Sequence, residues 1–531
     1  MEPEMLYYDA FVKPLLDQPG STYRHTTLIG AHPREYWDNY KQIFDDENLV
    51  GIPALPVDDP KLREINTNIL FTGNLWRRYP IESKSRYVDH STLLLQHMTW
   101  AALTNDIFQR SGLVRQLWWA PDETKRNIFP TSIRGKRSFD LGLHMGASIN
   151  EVAGILRVEN LRRAALADSP RPAWMDAAVL GRVEHRMAAQ GLEIPPNRSM
   201  PKNMEAIKGE DDAHTADSIM ATSCTTIDEL KVAIEKLNTW LEELQAEMAK
   251  LRLDTKARLE VTPEYREELV KKFVRYRQSV DALESRRPFH SDLIVSEAGY
   301  VRVVIVIDTE CRLINLEAEY AAVRETNPDP AALAECREAI LKTAQITKQM
   351  ASKHSGDRKR EIIHMLFDDI FSVECLPSTL HRDRRAYEPL QAQPDEFWPQ
   401  YELTLLDMTP STRDLSAPGI TDRREGTKIC QELLKHLYSS PKSPVPVALD
   451  RIAPNAAQDL IPEVPAITDA RLGGRMDASQ MSVRMLTPEM MEGLVKAFME
   501  WPFRPTAVEM ALAQDSGYGT QDDDETEGHI D

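Results

Sequence analysis

The chain has 531 residues, enough for two or more domains with sizeable cores, and its 42% hydrophobic and 28% charged residues are ordinary for a globular protein. Its five cysteines lie far apart without a Cys-x-x-Cys pair, which argues against a disulfide framework or a cysteine zinc site. The longest apolar run, around residues 303–307, is too short to cross a bilayer. The net charge of −19 weakens a nucleic-acid function without excluding it, because phosphates respond to local basic clusters.

The first 155 residues alternate short apolar runs with helical patterns, which is typical of an α/β sheet. A helix is predicted near residues 5–16, ending at Pro19-Gly20. A strand is predicted at 69–72 before the turn residues Gly73-Asn74, and Asp89-His90-Ser91 opens the next helix. Residues 114–119 then predict another strand.

A basic stretch follows a short helix that is predicted to begin at Pro121. Its cations are Lys125, Arg126, Arg134, Lys136 and Arg137. Because no acid lies between Thr124 and Ser138, the pattern predicts a solvated loop. Either a plain charged surface or a phosphate-binding surface fits that pattern.

Residues 156–380 predict a long helical insertion. Apolar residues repeat there at spacings of four and three, as in a coiled-coil seam. They are Leu230, Ile234, Leu237, Leu241, Leu244, Met248 and Leu251. A second helix starting at Thr262-Pro263 predicts an antiparallel hairpin near 225–285, expected to be a peripheral module that buries its own seam. An intermolecular coiled coil is the alternative.

The rest of the chain returns to a strand and then to helices. Residues 381–415 contain a predicted strand at 402–410, which by the family resemblance described below would close the sheet. Residues 416–513 predict a small helical domain in which Thr487 caps a helix and Pro488 occupies its first position. Residues 439–480 look loosely structured, and the acidic tail, 514–531, is predicted to be disordered.

Several motifs occur in the order seen in one family. They are Ile69-Leu70-Phe71-Thr72-Gly73-Asn74-Leu75, Tyr387-Glu388-Pro389, Phe397-Trp398-Pro399, the 402–410 strand, and Phe498-Met499-Glu500-Trp501-Pro502-Phe503-Arg504-Pro505. Together these segments resemble fungal mitochondrial transcription factor B, a relative of the ribosomal RNA adenine dimethylases. The resemblance implies an α/β fold with a Rossmann-like methyltransferase sheet, interrupted by the helical insertion. Residues 1–155 would hold the sheet from its second strand onward.

The resemblance also implies a vestigial site for adenine and cofactor. Asn74, Leu75 and Trp76 would stand where the family binds and stacks a flipped adenine, although Trp76-Arg77 replaces the family's Pro-aromatic pair. Glu2 would bind the ribose of S-adenosyl-L-methionine. The first strand and glycine-rich loop are missing, and His32 stands where the third-strand acid is expected. The sequence is therefore expected to start downstream of the true start and not to bind the cofactor.

By this resemblance, the chain is expected to be a transcription initiation factor of the mitochondrial matrix. It would act as a monomer away from membranes, with a single-subunit mitochondrial RNA polymerase and promoter DNA as its partners. The expected DNA contacts are Trp76, Arg77, Arg78, Lys125, Arg126, Arg134, Lys136 and Arg137. Two alternatives remain. One is an rRNA adenine N6-dimethyltransferase that uses S-adenosyl-L-methionine, the family's own enzyme class; the other is a coiled-coil scaffold.

Overall fold

A computed structural model describes residues 7–28, 35–75, 90–155, 171–199, 218–253, 262–286, 297–327, 329–354, 357–397, 400–416, 423–506 and 509. Glu2, the Trp76-Arg77-Arg78 segment and the predicted acidic tail lie outside these residues, as does the side chain of Arg126.

The described residues form an α/β fold around an open, mixed sheet. Its five strands are β1 (Ile65–Asn74), β2 (Leu113–Pro121), β3 (Ala147–Gly154), β4 (Leu390–Gln391) and β5 (Leu403–Pro410). Their spatial order is β1-β2-β5-β3-β4. β1 runs parallel to β2 and β3 runs parallel to β4, while β5 is antiparallel to both β2 and β3. The strands predicted at 69–72, 114–119 and 402–410 are confirmed.

Helices make up most of the remaining structure. Those of nine residues or more are α1 (Tyr36–Asp45), α2 (His90–Thr104), α3 (Ser138–Gly146), α4 (Ala173–Ala189), α5 (Ile227–Leu253), α6 (Pro263–Phe273), α7 (Arg277–Arg286), α8 (Glu297–Thr326), α9 (Pro330–His354), α10 (Asp357–Glu374), α11 (Arg423–Leu437) and α12 (Pro488–Glu500). Shorter helices are Lys13–Leu16, Lys125–Ile128, Val445–Asp450, Ala456–Leu460 and Pro465–Thr468.

One face of the sheet is packed by aromatic side chains. Phe71 of β1 stacks on Phe108 with 4.4 Å between ring centroids, and it lies 5.2 Å from the Trp118 ring of β2. A Cβ atom at Gly73 would lie 2.6 Å from the Trp118 ring, so this position requires glycine. The Gly-Asn turn of the sequence motif therefore has a packing role of its own.

The opposite face of the sheet is more exposed. The Arg115 guanidinium donates to both carboxylate oxygens of Asp407, at 2.7 and 2.6 Å, across the β2–β5 pair. Leu70 on the same face of β1 is 56% exposed. The described residues before Ile65 contain no strand. The third strand of the family sheet was expected to end near residues 32–37, but Glu35 and Tyr36 begin helix α1 there. That expected strand is not found in residues 7–28 or 35–64.

The coiled-coil seam is buried in a different way from that predicted. Helix α5 packs on α8 and α9, and its seam belongs to one continuous core with them. The predicted second helix is broken into α6 and α7, because the Asp308 carboxylate of α8 accepts the backbone N–H groups of Arg275 and Tyr276 at 3.0 and 2.7 Å. The peripheral hairpin stays a prediction, and the packing of α5 on α8 and α9 argues against a seam that the hairpin buries by itself.

Residues 439–480 are ordered, against expectation. They carry three short helices, and Arg475, which is 2% exposed, reaches into the helical core. Its guanidinium lies 3.2 Å from the Glu317 carboxylate and 3.5 Å from the Glu310 carboxylate of α8. The C-terminal helices therefore share a core with the insertion.

The C-terminal helix forms as predicted. The Thr487 hydroxyl accepts the Met490 N–H at 3.3 Å, and Pro488 is the first residue of α12. Trp501 ends the helix in a buried position, where its indole N–H donates to the Asp459 carboxylate at 2.8 Å. The aromatic end of the motif thus anchors α12 to the short helix Ala456–Leu460.

Candidate nucleic-acid interface

The Asn74-Leu75 pair lies at the carboxyl end of β1, next to β2. Asn74 is exposed and stands opposite Trp119 in the strand register. The Leu75 N–H donates to the Trp119 carbonyl at 2.7 Å, and the Ser91 hydroxyl of α2 donates to the Leu75 carbonyl at 2.9 Å. The backbone of this motif is therefore held firmly between a strand and a helix. Carboxyl ends of strands are where open α/β sheets bind ligands.

Lys125 forms ion pairs with two acidic residues near the carboxyl ends of β2 and β3. Its ammonium lies 2.5 Å from the Asp122 carboxylate and 3.1 Å from that of Glu151, and it donates to the Ile155 carbonyl at 3.2 Å. The Thr404 hydroxyl of β5 donates to Glu151 at 3.2 Å. Lys125 thus ties β2, β3 and β5 together, and its charge is already neutralised. The three-residue spacing of Asp122 and Lys125 was a signal for this ion pair in the sequence.

Lys136 is buried, which corrects the prediction of a solvated basic loop. Its ammonium donates to the carbonyls of Leu486 at 2.6 Å and of Thr379 at 3.4 Å, and the side chain is 1% exposed. Burial lowers the pKa of Lys136, while the nearby Asp140 carboxylate opposes that shift. Lys136 cannot contact a phosphate from this position.

Arg134 and Arg137 remain exposed on either side of Lys136. Arg134 lies in the tight turn Ile133–Gly135, and Arg137 directly precedes α3. Of the predicted DNA contacts whose side chains the structure describes, these two are accessible to a polyanion. Arg126 belongs to the helix Lys125–Ile128, but its side chain lies outside the described residues.

A buried polar cluster on α3 was not predicted from the sequence. The imidazole rings of His144 and His381 stack with 3.3 Å between centroids, and the Asp140 carboxylate lies 3.5 Å from His144 Nε2. Burial raises the pKa of Asp140 to about 7, partly offset by Lys136 and Arg384. Burial also lowers the pKa of His144 to about 3. This cluster lies in the interior and not at the candidate interface.

Glu489 of helix α12 lies close to this buried cluster around Lys136 and Asp140. Glu489, the second residue of α12, accepts hydrogen bonds from Arg413 at 2.7 Å and from Arg384 at 3.2 Å. Burial would raise its pKa, but the two guanidinium groups and its position at the helix start bring the pKa down to about 2. Glu489 is a structural ion-pair partner.

Neither a metal site nor a membrane span is found among the residues that the structure describes. No three His, Cys, Asp or Glu side chains are arranged there to hold a metal ion. No helix in the described ranges has the length and apolar content to cross a bilayer. Comparison with known protein families, curated proteins and solved structures gave no match to this chain.

Proposed function

We propose that this chain is a mitochondrial transcription initiation factor that binds a single-subunit mitochondrial RNA polymerase in the matrix and helps recognise and melt promoter DNA. The observation that carries the proposal is the arrangement of the sheet. Strand β5 enters antiparallel between β2 and β3, and the Asn74-Leu75 motif ends the neighbouring strand β1. The resemblance led us to expect a strand at 402–410 that closes the sheet, and β5 occupies this position.

The same arrangement supports a DNA-binding surface at this end of the sheet. Asn74 and Trp119 lie at the carboxyl ends of two parallel strands, where ligands of open α/β sheets bind. Trp76, Arg77 and Arg78 follow directly in the chain. Capture of unpaired bases needs aromatic side chains for stacking and cations for phosphates, and this sequence supplies both.

The proposal treats the adenine site as vestigial. In the resembled enzymes, the carbonyl next to the motif asparagine accepts a hydrogen bond from the target adenine. Here Trp76-Arg77 follows Leu75 in place of the Pro-aromatic pair, and no described residue before β1 forms the cofactor-binding strand. We therefore propose that this chain does not methylate RNA and does not bind S-adenosyl-L-methionine tightly.

Exchange of the two exposed arginines tests the DNA-binding surface. In the double variant Arg134→Ser/Arg137→Ser, we expect weaker binding to single-stranded promoter DNA and less promoter opening with the polymerase. Each phosphate contact on a single strand contributes about 0.7 to the slope of log affinity against log salt, so loss of both contacts lowers the slope by roughly 1.4. Fluorescence anisotropy at several salt concentrations measures this slope.

A control variant with the same change in net charge separates the loss of DNA contacts at Arg134 and Arg137 from the loss of positive charge in general. Lys236→Ser/Lys271→Ser removes two exposed cations from helices α5 and α6 and should leave DNA affinity unchanged. The melting temperatures of both double variants should stay close to that of the wild type, because exposed substitutions usually change stability by less than about 0.5 kcal/mol. If the arginine variant kept the affinity and the salt slope of the wild type, this loop would not be part of the DNA path.

A further inference from the structure

The turn that joins helices α6 and α7 displays four positive charges. Its cations are Lys271, Lys272, Arg275 and Arg277, all of them exposed. Along the sequence, the nearest acids are Glu268 before them and Asp281 after them, and the Asp281 carboxylate lies 3.6 Å from Arg277 Nε. In a chain of net charge −19, residues 271–277, which we call the basic turn, form a local positive patch that attracts anions.

Contacts with helix α8 hold the basic turn in place. The Asp308 carboxylate accepts the backbone N–H groups of Arg275 and Tyr276, at 3.0 and 2.7 Å. The Arg312 guanidinium, one helical turn along α8, donates to Asp308 at 2.8 Å and to the Phe273 carbonyl at 3.3 Å. The backbone between α6 and α7 is therefore fixed by a buried acid and its arginine partner, and the exposed cations are not needed for the turn itself.

Two of the cations stand over buried aromatic rings. The Lys272 ammonium lies 4.9 Å from the centroid of the Phe273 ring, and the Arg275 guanidinium carbon lies 5.2 Å from that of the Tyr276 ring. Both aromatic residues are 1% exposed, so their rings attract the cations but offer no free face on which a base could stack. The basic turn therefore suits an anion that is recognised by its charge, such as an acidic peptide.

The chain itself contains a peptide of this kind in its acidic tail. Residues 515–531 hold seven acids and no Lys or Arg, and five of the acids fall within residues 522–527. The 13 residues from Glu509 to Asp522 can span up to about 45 Å, while a folded chain of this length has a radius of gyration of ~23 Å, so distant parts of the surface lie within reach. An anion on the same chain also has an effective concentration in the millimolar range, whereas the net charge of −19 repels a separate polyanion.

We infer that residues 522–527 of the acidic tail dock on the basic turn of the same molecule. The tail carboxylates would accept hydrogen bonds from the ammonium groups of Lys271 and Lys272 and from the guanidinium groups of Arg275 and Arg277. Such contacts require no regular structure in the tail. Exposed ion pairs are individually weak, so the docking depends on several of them together and is screened by salt. The inference does not depend on the proposed function.

Zero-length cross-linking of the full chain tests the contact. A water-soluble carbodiimide joins a lysine amine to a carboxylate that it touches, and mass spectrometry identifies the linked peptides. Lys271 or Lys272 should be linked to acids of residues 522–527 several-fold more often than Lys236, an exposed lysine of α5 that reports random contacts. The links should disappear in 1 M salt, where the screening length is only about 3 Å. Equal linking of Lys236, or no link to the tail, would overturn the inference.

A mixture of ¹⁵N-labelled and unlabelled chains shows whether the contact lies within one molecule. The linked peptides should carry the same isotope, and mixed pairs would refute docking within one molecule.

Two variants locate the contact on the surface. Arg275→Ser/Arg277→Ser keeps both lysines for the chemistry and should reduce their linking to the tail several-fold, with unchanged thermal unfolding because Asp308 still fixes the turn. Arg134→Ser/Arg137→Ser removes the same charge from another exposed site and should leave the linking unchanged. If the second variant, and not the first, lowered the linking, the tail would bind elsewhere and the inference would fail.

Discussion

Lys136 connects three segments that are far apart in the sequence. From the segment between the turn Ile133–Gly135 and α3, its ammonium donates to the carbonyls of Thr379 and Leu486. It thereby fixes the loop after α10 and the residue before α12 to this segment. A buried ammonium is costly unless it is hydrogen-bonded and balanced by an opposite charge. Asp140, one helical turn later, provides the nearby carboxylate.

The sequence could not distinguish Lys136 from the two arginines beside it. All three residues are cations within four positions, and the acid-free stretch between Thr124 and Ser138 ends just before Asp140. The tight turn Ile133–Gly135 directs Lys136 inwards and leaves Arg134 and Arg137 in solvent. Such a turn depends on tertiary contacts, including the Ile133 N–H donating to Asp369 at 2.8 Å.

Asp140→Asn should change how stability depends on pH. The pKa of Asp140 rises from near 4 in the unfolded chain to about 7 in the folded protein, so the folded state binds more protons between these values. Its contribution to stability is therefore present at low pH and is lost as pH rises from about 4 to 7. Relative to the wild type, the variant should gain on the order of a few kcal/mol across this window. Urea unfolding at a series of pH values measures the difference.

The control for this experiment is Asp395→Asn, which changes an exposed carboxylate. The buried His144 and His381 act in the opposite direction, because their lowered pKa values make stability fall as pH drops below about 6.5. Both histidines are present in both proteins, so their contribution largely cancels, whereas the pKa of Lys136 should fall further in the variant because the Asp140 carboxylate no longer opposes its lowering. A stability difference that stayed constant from pH 4 to 7 would contradict the raised pKa.

At the level of elements, the sequence predicted individual strands and helices better than their partners. The apolar runs of β1, β2 and β5 and the cap of α12 are local signals, and the structure has all four elements. Strand β3, Ala-Ser-Ile-Asn-Glu-Val-Ala-Gly, was missed because it lacks a continuous apolar run. Its polar residues are used by tertiary contacts, such as Glu151 with Lys125, which no local pattern shows.

Helix α5 is a second example of an element that was predicted correctly without its packing partners. Its apolar seam predicted a helix but did not show that α8 and α9 cover the seam. Removal of residues 225–286 with a short linker should abolish cooperative unfolding of the helical layer. The deletion would expose the apolar faces of α8 and α9 that α5 covers. Calorimetry and near-ultraviolet circular dichroism measure the effect.

Truncation after Gln514 serves as the comparison for this deletion. It removes the segment that composition predicts to be dispensable and should leave the unfolding transition sharp. If the α5–α7 deletion unfolded as cooperatively as this truncation, the hairpin would be a separate module after all.

At the scale of the whole molecule, two buried clusters are joined by shared helices. One lies on the aromatic face of the sheet, and the other runs through the insertion and the C-terminal helices. Helix α2 contributes Leu95 and Met98 to the first and Trp100 and Leu103 to the second. The predicted boundary near residue 416 therefore divides one core.

Residues 416–513 should accordingly not fold as an isolated fragment. They would lose the Glu317 and Glu310 partners of Arg475 and the apolar surface of α8, and a buried guanidinium without its partners is strongly destabilising. Hydrogen exchange of the fragment should show little protection at α11 and α12, compared with strong protection in the full chain. A protected fragment with a cooperative melt would restore the independent C-terminal domain.

The position of β5 in the sheet also has a consequence for synthesis of the chain on the ribosome. Strand β5 lies between β2 and β3, yet it is translated only after the whole insertion. About 250 residues separate the end of β3 from the start of β5, and at ~5–20 residues per second the ribosome needs roughly 12–50 s to add them. During that interval β2 lacks β5, and β3 lacks both β5 and β4, so unpaired strand edges are exposed in the nascent chain. The sheet therefore cannot be completed until the insertion has been translated, whatever the number of its strands.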